Sequence, residues 1–210
     1  MTSRPATERR FLDLAVAQMG PVHLADRRPS VVARLVAMLR EAHGRGARFV
    51  VFPELALTGY PPEDLLLRPS LRKRIDLALS RIAAIRGILL VIGYPRHGDA
   101  GLLNVAGAWL DGTCLAEYAK QKLPNYQVFD EHRYFRPGEQ VCVFEAGEPG
   151  QSVRVGLLIC EDAWYEAPAR ESRAAGAELL VVLNASPFHL GKGMERERMM
   201  YNRVQACGLP

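Results

Sequence analysis

The sequence predicts an α/β domain built on a mixed sheet, and three observations support this fold class. Short apolar runs alternate along the 210-residue chain with segments whose apolar residues recur at helical spacing. An Asp111-Gly112 pair separates two strand-like runs, which is typical of a β-hairpin. Apolar residues make up 49% of the chain, enough for one sizeable core. The alternation indicates βαβ units with parallel strands, and the hairpin adds antiparallel ones.

The first half of the chain is expected to alternate strands with amphipathic helices. Each predicted strand is a short apolar run, and each predicted helix carries apolar residues three or four positions apart. The glycines at 44 and 46 are expected to end the first helix. The predicted strands are residues 12–19, 48–52 and 88–94, and the predicted helices are residues 29–43 and 63–85.

The second half begins with the hairpin and then returns to strand and helix alternation. Asp111 and Gly112 suit a tight turn in which both central residues have positive φ. The final helix runs into Gly208, and a glycine at that place normally leads to another strand, so we expect the domain to be incomplete at its C-terminus. The predicted strands are residues 103–110, 113–119, 140–146, 153–159 and 178–184, and the predicted helices are 163–176 and 192–206.

Charge and hydropathy argue against nucleic-acid and membrane partners. The net charge of +4 is spread without a long basic run, whereas a nucleic-acid surface would show clustered Lys and Arg. Residues 1–10 are polar and are expected to form a disordered tail before a single domain at 11–210. The apolar stretch after the tail is short and interrupted by Asp13 and Gln18, so it suits neither a secretion signal nor a membrane span.

Cysteine and histidine spacing argues against a metal site and a disulfide framework. The four cysteines lie far apart without a C-x-x-C pair, and the five histidines share no ligand spacing. A long, core-rich chain of this kind has no need of disulfides. We therefore expect no metal and a reducing, cytoplasmic location.

The segment around Cys160 is the most informative part of the chain. An apolar run at 155–159 leads directly into Cys160, and Glu161, Asp162 and Trp164 follow where the pattern becomes helical. A thiol at a helix N-terminus has its pKa lowered by the helix dipole and the free backbone N–H groups, which predicts a reactive thiolate. A lone cysteine is also a common apolar core residue, so this segment alone leaves both interpretations open.

Two other predicted strands end in charged residues that could meet the cysteine. Glu54 follows Pro53 after a buried strand, where a carboxylate is suited to proton transfer, although a surface glutamate is an equal alternative. Lys120 or Lys122, at the end of the hairpin, could direct an ammonium group to the same rim, and a solvated edge lysine is the alternative. Glu, Lys and Cys at three strand ends, in that order, form a specific combination.

These residues resemble the nitrilase, or carbon–nitrogen hydrolase, superfamily, whose catalytic triad is Glu–Lys–Cys. Within it, the sequence is most similar to the family of glutaminase domains of glutamine-dependent NAD synthetases. The resemblance extends from about residue 12 to residue 210. The segments that carry it are residues 53–65, 123–126, 128–131, 160–162 and 184–188.

The resemblance implies a fold and a set of site residues. The fold is a four-layer α-β-β-α sandwich. The triad is Glu54, Lys120 and Cys160, since the family's lysine stands two residues before a Leu-Pro pair, which selects Lys120 over Lys122. Ala119 departs from the family, where arginine is common, and that puts a supporting contact in doubt. The residues implied for glutamine are Tyr60, Tyr126, Glu131 and Trp164, which shape the pocket, and Ser186 and Lys192, which hold the amino-acid head group.

The resemblance also implies an activity and partners. The domain would hydrolyse the glutamine side-chain amide through a cysteine thioester, without a cofactor. The ammonia would pass to a C-terminal synthetase domain that uses ATP and Mg²⁺ to amidate nicotinic acid adenine dinucleotide to NAD. That domain is expected to be absent from this sequence, since it has no Ser-Gly-Gly-x-Asp phosphate loop. Family members pair through their helical faces, so a homo-oligomer is expected.

Two alternatives to a glutaminase remain from the sequence. One is a standalone nitrilase-like amidase that acts on another small amide. The other is a binding or scaffolding fragment without activity, because an incomplete sandwich would expose apolar sheet.

Overall fold

The computed structural model describes residues 13–19, 30–99, 101–187 and 189–210. The predicted N-terminal tail at 1–10 lies outside these residues. Single 3₁₀ turns occur at Glu63–Leu67, Glu131–Arg133 and Cys160–Trp164. The strands are β1 (Leu14–Val16), β2 (Phe49–Val51), β3 (Leu89–Gly98), β4 (Gly101–Leu110), β5 (Thr113–Ala119), β6 (Val143–Ala146), β7 (Val153–Ile159) and β8 (Leu179–Leu183). The helices are α1 (Val31–Gly44), α2 (Ser70–Ala83), α3 (Glu166–Ala174) and α4 (Lys192–Cys207).

The strands form two sheets, and the larger one is mixed as predicted. Its order is β1-β2-β3-β4-β5, with β1, β2 and β3 parallel and β3, β4 and β5 antiparallel. The parallel pairs arise because α1 and α2 return the chain to the same edge. Asp111 and Gly112 both have positive φ, at 52° and 88°, as the predicted hairpin turn requires. The smaller sheet pairs β6 antiparallel and β8 parallel to β7.

Alternating residues of β2 show how the layers stack. Phe49 and Val51 belong to the core that includes the smaller sheet, and the Phe49 ring meets Phe144 of β6 edge-on at 6.5 Å. Val50 of β2 and Phe52, which directly follows the strand, belong to the core that includes α1 and α2. Both faces of the strand are therefore buried, as its uninterrupted apolar run predicted.

The smaller sheet is covered on its outer side by α3 and α4, which pack against each other. Ala169 of α3 and Cys207 of α4 are buried in the same core as β7. The order of layers is thus α1/α2, larger sheet, smaller sheet, α3/α4. This confirms the predicted four-layer α-β-β-α sandwich.

Two predicted helices are interrupted where the backbone becomes extended. The helix at 63–85 divides into a 3₁₀ turn and α2, because Arg68 takes an extended conformation before Pro69. The helix at 163–176 divides at Tyr165, which is also extended. The remaining described elements match their predictions within a few residues. In the part of the chain that the structure describes, no helix is long and apolar enough to cross a membrane.

The chain after α4 turns back toward the smaller sheet. Gly208 has a positive φ of 67° and ends the helix, as its lack of a side chain allows. The backbone N–H of Leu180 in β8 then donates to the Pro210 carbonyl at 2.9 Å. The last residues therefore lie along the edge of β8, and Leu209 is buried there.

Candidate active site

Three strand ends place the predicted triad in one buried region. Glu54 follows β2, Lys120 directly follows β5 and Cys160 directly follows β7. The exposed fractions of Glu54, Lys120 and Cys160 are only 2%, 1% and 6%. Charged side chains are almost never buried to this degree unless they are paired, so Glu54 and Lys120 need partners.

The partners of Lys120 are two buried carboxylates. Its ammonium nitrogen lies 2.7 Å from Oε1 of Glu54 and 2.8 Å from Oε1 of Glu131. Burial alone would lower the pKa of Lys120, but the charges of Glu54 and Glu131 outweigh it and raise the pKa. Lys120 is therefore a charged ammonium inside the protein.

Glu131 connects Lys120 to the predicted pocket. Its Oε1 also accepts a hydrogen bond from the hydroxyl of Tyr60 at 2.8 Å. Burial raises the pKa of Glu131 to about 7, although Lys120 acts to lower it. Among the described residues, Oε2 of Glu131 and Oε2 of Glu54 have no hydrogen-bond partner. Each carboxylate thus keeps one oxygen free to accept a proton or a donor group.

Cys160 occupies a constrained turn, and its environment corrects one prediction. Its φ is 44°, a conformation that residues with a side chain rarely adopt, and its sulfur lies 3.6 Å from the Ser186 hydroxyl oxygen. Burial and the nearby Glu54 raise the pKa of the thiol to about 12. The prediction of a lowered thiol pKa is therefore wrong. A 3₁₀ turn of five residues starts at Cys160, and Lys120 and Ser186 offset only part of the desolvation.

A cavity of about 530 Å³ opens in front of the cysteine. Cys160, Tyr126, Trp164, Ser186 and Lys192 all line it, which brings four of the predicted glutamine residues around the thiol. A neighbouring cavity of about 810 Å³ is also lined by Trp164 and Ser186, and Glu54 and Tyr60 line it as well.

Several side chains that line the 530 Å³ cavity contact one another. The Lys192 ammonium lies 4.6 Å from the centre of the Trp164 ring and 2.8 Å from a carboxylate oxygen of Glu195. The Tyr126 hydroxyl donates to Glu161 at 3.0 Å. The charge of Lys192 is therefore partly neutralised by a carboxylate that lines the same cavity.

The sequence interpretation missed Asn104, which supports two members of the triad. Its side-chain N–H donates to Oε1 of Glu54 at 2.8 Å, and its backbone carbonyl accepts from the backbone N–H of Lys120 at 2.9 Å. The available signal was a polar residue inside the apolar run at 102–106, where β4 is buried. Asp162 was also given no role, although it lies in the segment around Cys160.

Two glycines allow other backbone segments to lie close to the backbone that carries Glu54 and Lys120. A Cβ on Gly93 of β3 would lie 2.6 Å from the carbonyl oxygen of Pro53 and 2.7 Å from Cα of Glu54. A Cβ on Gly138 would lie 2.8 Å from the carbonyl carbon of Ala119, and its backbone N–H donates to the Lys120 carbonyl at 2.8 Å. Only glycine fits these two positions without moving the Glu54 or Lys120 backbone.

We expect Gly93→Ala to lower both stability and activity. Since backbone atoms cannot rotate away as a side chain can, the segment that carries Glu54 must shift. The free energy of unfolding should fall by about 1–3 kcal/mol. Because a displacement of about 1 Å at a reacting group can reduce turnover about 100-fold, kcat should fall by 10-fold or more. Urea unfolding and steady-state kinetics measure the two effects.

Gly44→Ala is the matched control for that substitution. Gly44 ends α1, has ordinary φ, and a Cβ there would meet no atom within 4 Å. It should leave both quantities close to wild type. Equal behaviour of the two variants would contradict the close approach of β3 to Glu54.

The described residues contain no group of three or more His, Cys, Asp or Glu side chains arranged to hold a metal ion. The titratable groups of the predicted triad and Glu131 are one ammonium, two carboxylates and one thiol. Together these groups can supply a nucleophile, a proton carrier and a fixed positive charge within one buried space.

Comparison with known proteins agrees with this arrangement. The chain is 43% identical over 202 residues to the glutamine-dependent NAD(+) synthetase of Xylella fastidiosa strain Temecula1, a match that covers 94% of this chain and 36% of the relative. The glutamine-dependent NAD+ synthetase of Acinetobacter baumannii, solved with ADP, superposes with a TM-score of 0.80 at 34% identity, covering 86% of this chain and 34% of that one. The chain thus spans about a third of the length of these synthetases.

A smaller solved enzyme is also similar. The amidase of Nesterenkonia AN1, from the nitrilase superfamily, superposes with a TM-score of 0.77 at 25% identity, covering 95% of this chain and 74% of that one. In another structure of that amidase, acrylamide has added to the active-site cysteine. Residues 13–208 match the family profile described as carbon-nitrogen hydrolase, which is nearly all of the sequence. With the four-layer sandwich and the buried Glu, Lys and Cys, this match establishes that the chain belongs to the carbon–nitrogen hydrolase family.

Proposed function

We propose that this chain hydrolyses the side-chain amide of glutamine to glutamate and ammonia through a thioester on Cys160. The observation that carries the proposal is the buried ammonium of Lys120, which Glu54 and Glu131 hold close enough to the Cys160 thiol for its charge to act on it. A positive charge fixed in a water-poor site can stabilise the oxyanion that forms when an amide carbonyl is attacked.

The first half of the proposed reaction forms the thioester. Because the raised pKa keeps the Cys160 thiol protonated, Glu54 removes the thiol proton as sulfur attacks the amide carbon. Lys120 and a backbone N–H beside Cys160 stabilise the oxyanion, and one such donor is typically worth about 3 kcal/mol. The C–N bond then breaks, and Glu54 returns the proton to the departing ammonia.

The second half regenerates the enzyme. A water molecule gives a proton to Glu54 and attacks the thioester carbon, the C–S bond breaks, and the proton passes to the cysteine sulfur. The products are glutamate and the free thiol. Neither half requires a metal or an organic cofactor in this proposal.

The remaining predicted residues are proposed to recognise glutamine. Tyr60 and Glu131 would position the lysine and the reacting amide, and their 2.8 Å hydrogen bond supports a shared role. Tyr126 and Trp164 would form the walls of the pocket. Ser186 and Lys192 would hold the amino-acid head group, which is supported by their place on the lining of the Cys160 cavity.

We further propose that residues 11–210 are the ammonia-producing part of a larger enzyme. The relatives named glutamine-dependent NAD(+) synthetase are about three times as long as this chain, which supports a C-terminal synthetase domain as partner. That domain would use ATP and Mg²⁺ to amidate nicotinic acid adenine dinucleotide to NAD.

We also propose that the protein is cytoplasmic and forms a homo-oligomer. Free thiols at all four cysteines suit a reducing, cytoplasmic location. The exposed apolar side chains of Met194 and Tyr201 on α4 support pairing of two copies through this helical layer.

A substrate panel tests the proposed function. The purified chain is incubated with glutamine, asparagine or butyramide, and ammonia release is measured. We expect release from glutamine with a kcat/KM at least about 100-fold above that for butyramide, because Ser186 and Lys192 recognise only an amino-acid head group.

The second candidate function is a standalone amidase for small amides. The structural similarity to the Nesterenkonia amidase favours it. Hydrolysis of butyramide without hydrolysis of glutamine would replace the glutaminase proposal with this one. No ammonia from any amide, by a cooperatively folded protein, would instead support an inactive binding or scaffolding fragment.

A further inference from the structure

Asp162 is a fully buried carboxylate outside the proposed triad, with an exposed fraction of 0%. Its Oδ1 accepts hydrogen bonds from the backbone N–H groups of Gln121 at 3.1 Å and Lys122 at 2.8 Å. Its Oδ2 accepts from the backbone N–H of Ile159 at 3.0 Å and from the Tyr118 hydroxyl at 2.9 Å. Four donors therefore converge on one side chain.

These donors come from both sheets. Tyr118 belongs to β5 of the larger sheet, and Gln121 and Lys122 directly follow Lys120. Ile159 is the last residue of β7 in the smaller sheet and directly precedes Cys160. Asp162 thus forms a bridge that connects the backbone that flanks Lys120 with the backbone that flanks Cys160.

The bridge requires a carboxylate. All four partners donate a hydrogen, and a carboxylate accepts at both oxygens, whereas an amide of the same shape accepts at only one. Burial raises the pKa of Asp162, and hydrogen bonds from Lys122, Ile159 and Tyr118 act against this. An apolar side chain here would leave three backbone N–H groups without this partner, and that of Ile159 is buried.

The bridge also holds the unusual backbone of Cys160. A positive φ on a residue with a side chain persists only where its surroundings fix it. The bond from Ile159 N–H to Asp162 closes the turn on one side of Cys160, and the bonds from Gln121 and Lys122 attach that turn to the larger sheet. The Asp162 side chain therefore links the backbone of Cys160 to the backbone that follows Lys120.

We propose that Asp162 is a positioning residue that holds Cys160 and Lys120, at strand ends of different sheets, in the relative position that amide attack requires. This rests on the proposed function only in assigning the nucleophile to Cys160 and the oxyanion donor to Lys120. The hydrogen-bond partners of Asp162 are three backbone N–H groups and the Tyr118 hydroxyl, so it acts through the backbone and not on a reacting side chain.

Asp162→Asn tests the proposal because asparagine keeps the volume of the side chain but has only one oxygen that can accept hydrogen bonds. We expect kcat for glutamine to fall about 100-fold while KM changes less than about threefold, since the pocket walls remain. Ser172→Ala is the matched control. Ser172 is equally buried, with its hydroxyl donating to the Pro168 carbonyl at 2.9 Å within α3, so its loss should lower the thermal midpoint but not kcat.

A second readout does not depend on turnover of any amide. Acrylamide adds to a cysteine sulfur and leaves an adduct that mass spectrometry locates. The exposed Cys114 of the same molecule serves as the internal standard for reagent access. Because Lys120 no longer faces the thiol correctly, we expect the ratio of labelling at Cys160 to labelling at Cys114 to fall at least about 10-fold in Asp162→Asn.

The outcomes separate this inference from the proposed function. Wild-type protein that labels Cys160 but releases no ammonia from glutamine contradicts the proposed function alone. Unchanged kcat and an unchanged labelling ratio in a folded Asp162→Asn variant overturn the role of Asp162. If that variant does not fold, Tyr118→Phe decides, since it removes one donor and keeps the ring: a kcat at least about fivefold lower supports positioning, and an unchanged kcat overturns it.

Discussion

Replacing Cys160 by alanine is expected to reduce ammonia release from glutamine by at least about 10⁴-fold, because the variant has no atom that can form the thioester. The protein should remain folded, since the change removes one sulfur atom from a site that Glu54, Lys120 and Ser186 surround. Truncating a small buried side chain costs about 1 kcal/mol in the free energy of unfolding. Ammonia assay, urea unfolding and calorimetric titration with glutamine together measure these effects.

Cys142→Ala is the matched control for that variant. Cys142 is buried to a similar degree, with 8% exposed compared with 6% for Cys160, and it lies before β6 rather than at the site. It should keep wild-type kcat with a similar small loss of stability. Glutamine should still bind to Cys160→Ala, because the groups that recognise it are intact. Ammonia release at the wild-type rate by Cys160→Ala would refute the thioester mechanism.

Lys120→Met is expected to lose both activity and stability. Loss of an oxyanion donor reduces kcat about 10²- to 10³-fold, and protonation of a carboxylate that has lost its counter-ion reduces it further. Breaking a buried ion pair by removing one partner typically lowers the free energy of unfolding by about 3–5 kcal/mol. Here Glu54 and Glu131 would both remain buried beside the methionine.

The stability loss in Lys120→Met should depend on pH. Without the ammonium, the pKa of Glu131 rises beyond its already raised value of about 7, while in the unfolded chain it returns to its ordinary value. Between these values the native state binds more protons than the unfolded state, so stability falls as pH rises. The variant should therefore be closer to wild type at pH 5 than at pH 8, as measured by urea unfolding at both values.

Lys122→Met tests the choice between the two lysines. The Lys122 ammonium lies 5.6 Å from the centre of the Tyr165 ring, a contact of small energy near the surface. This variant should keep most of its activity and stability at either pH. Loss of activity in Lys122→Met with retention in Lys120→Met would show that the resemblance selected the wrong lysine.

The sequence predicted the order of helices and strands because each kind of element leaves its own apolar pattern: a strand buried on both faces is a continuous apolar run, and a helix has apolar residues three or four positions apart. The continuous apolar run of β7 and the helical spacing in α1 each have one stable arrangement, and the Asp111-Gly112 turn is set by local backbone preference. Element ends were less accurate where a local break competes with the pattern, as at Pro69 and Tyr165. Those breaks depend on backbone angles that apolar periodicity does not encode.

The three residues of the proposed triad were easier to select from the sequence than the residues that support them. Glu54, Lys120 and Cys160 could be selected because each follows an apolar strand and the order matches a known family. Asn104 and Asp162 could not be assigned, since a polar residue in a strand or turn has no defined partner until the sheets are packed. The hydrogen bond from Asn104 to Glu54 crosses 50 positions of sequence, and those to Asp162 from Lys122, Gln121 and Tyr118 cross 40, 41 and 44.

The sequence by itself determined the α/β fold class and the residues that could perform amide chemistry, because these follow from apolar periodicity, from side-chain type and from the resemblance to a known family. Only the tertiary structure decided whether those side chains are charged or neutral. Packing two sheets together placed Lys120 between Glu54 and Glu131, which keeps the lysine charged, and buried Cys160 deeply enough to raise the pKa of its thiol. Desolvation and the distances between charges set these properties, and both arise from residues far apart in the chain.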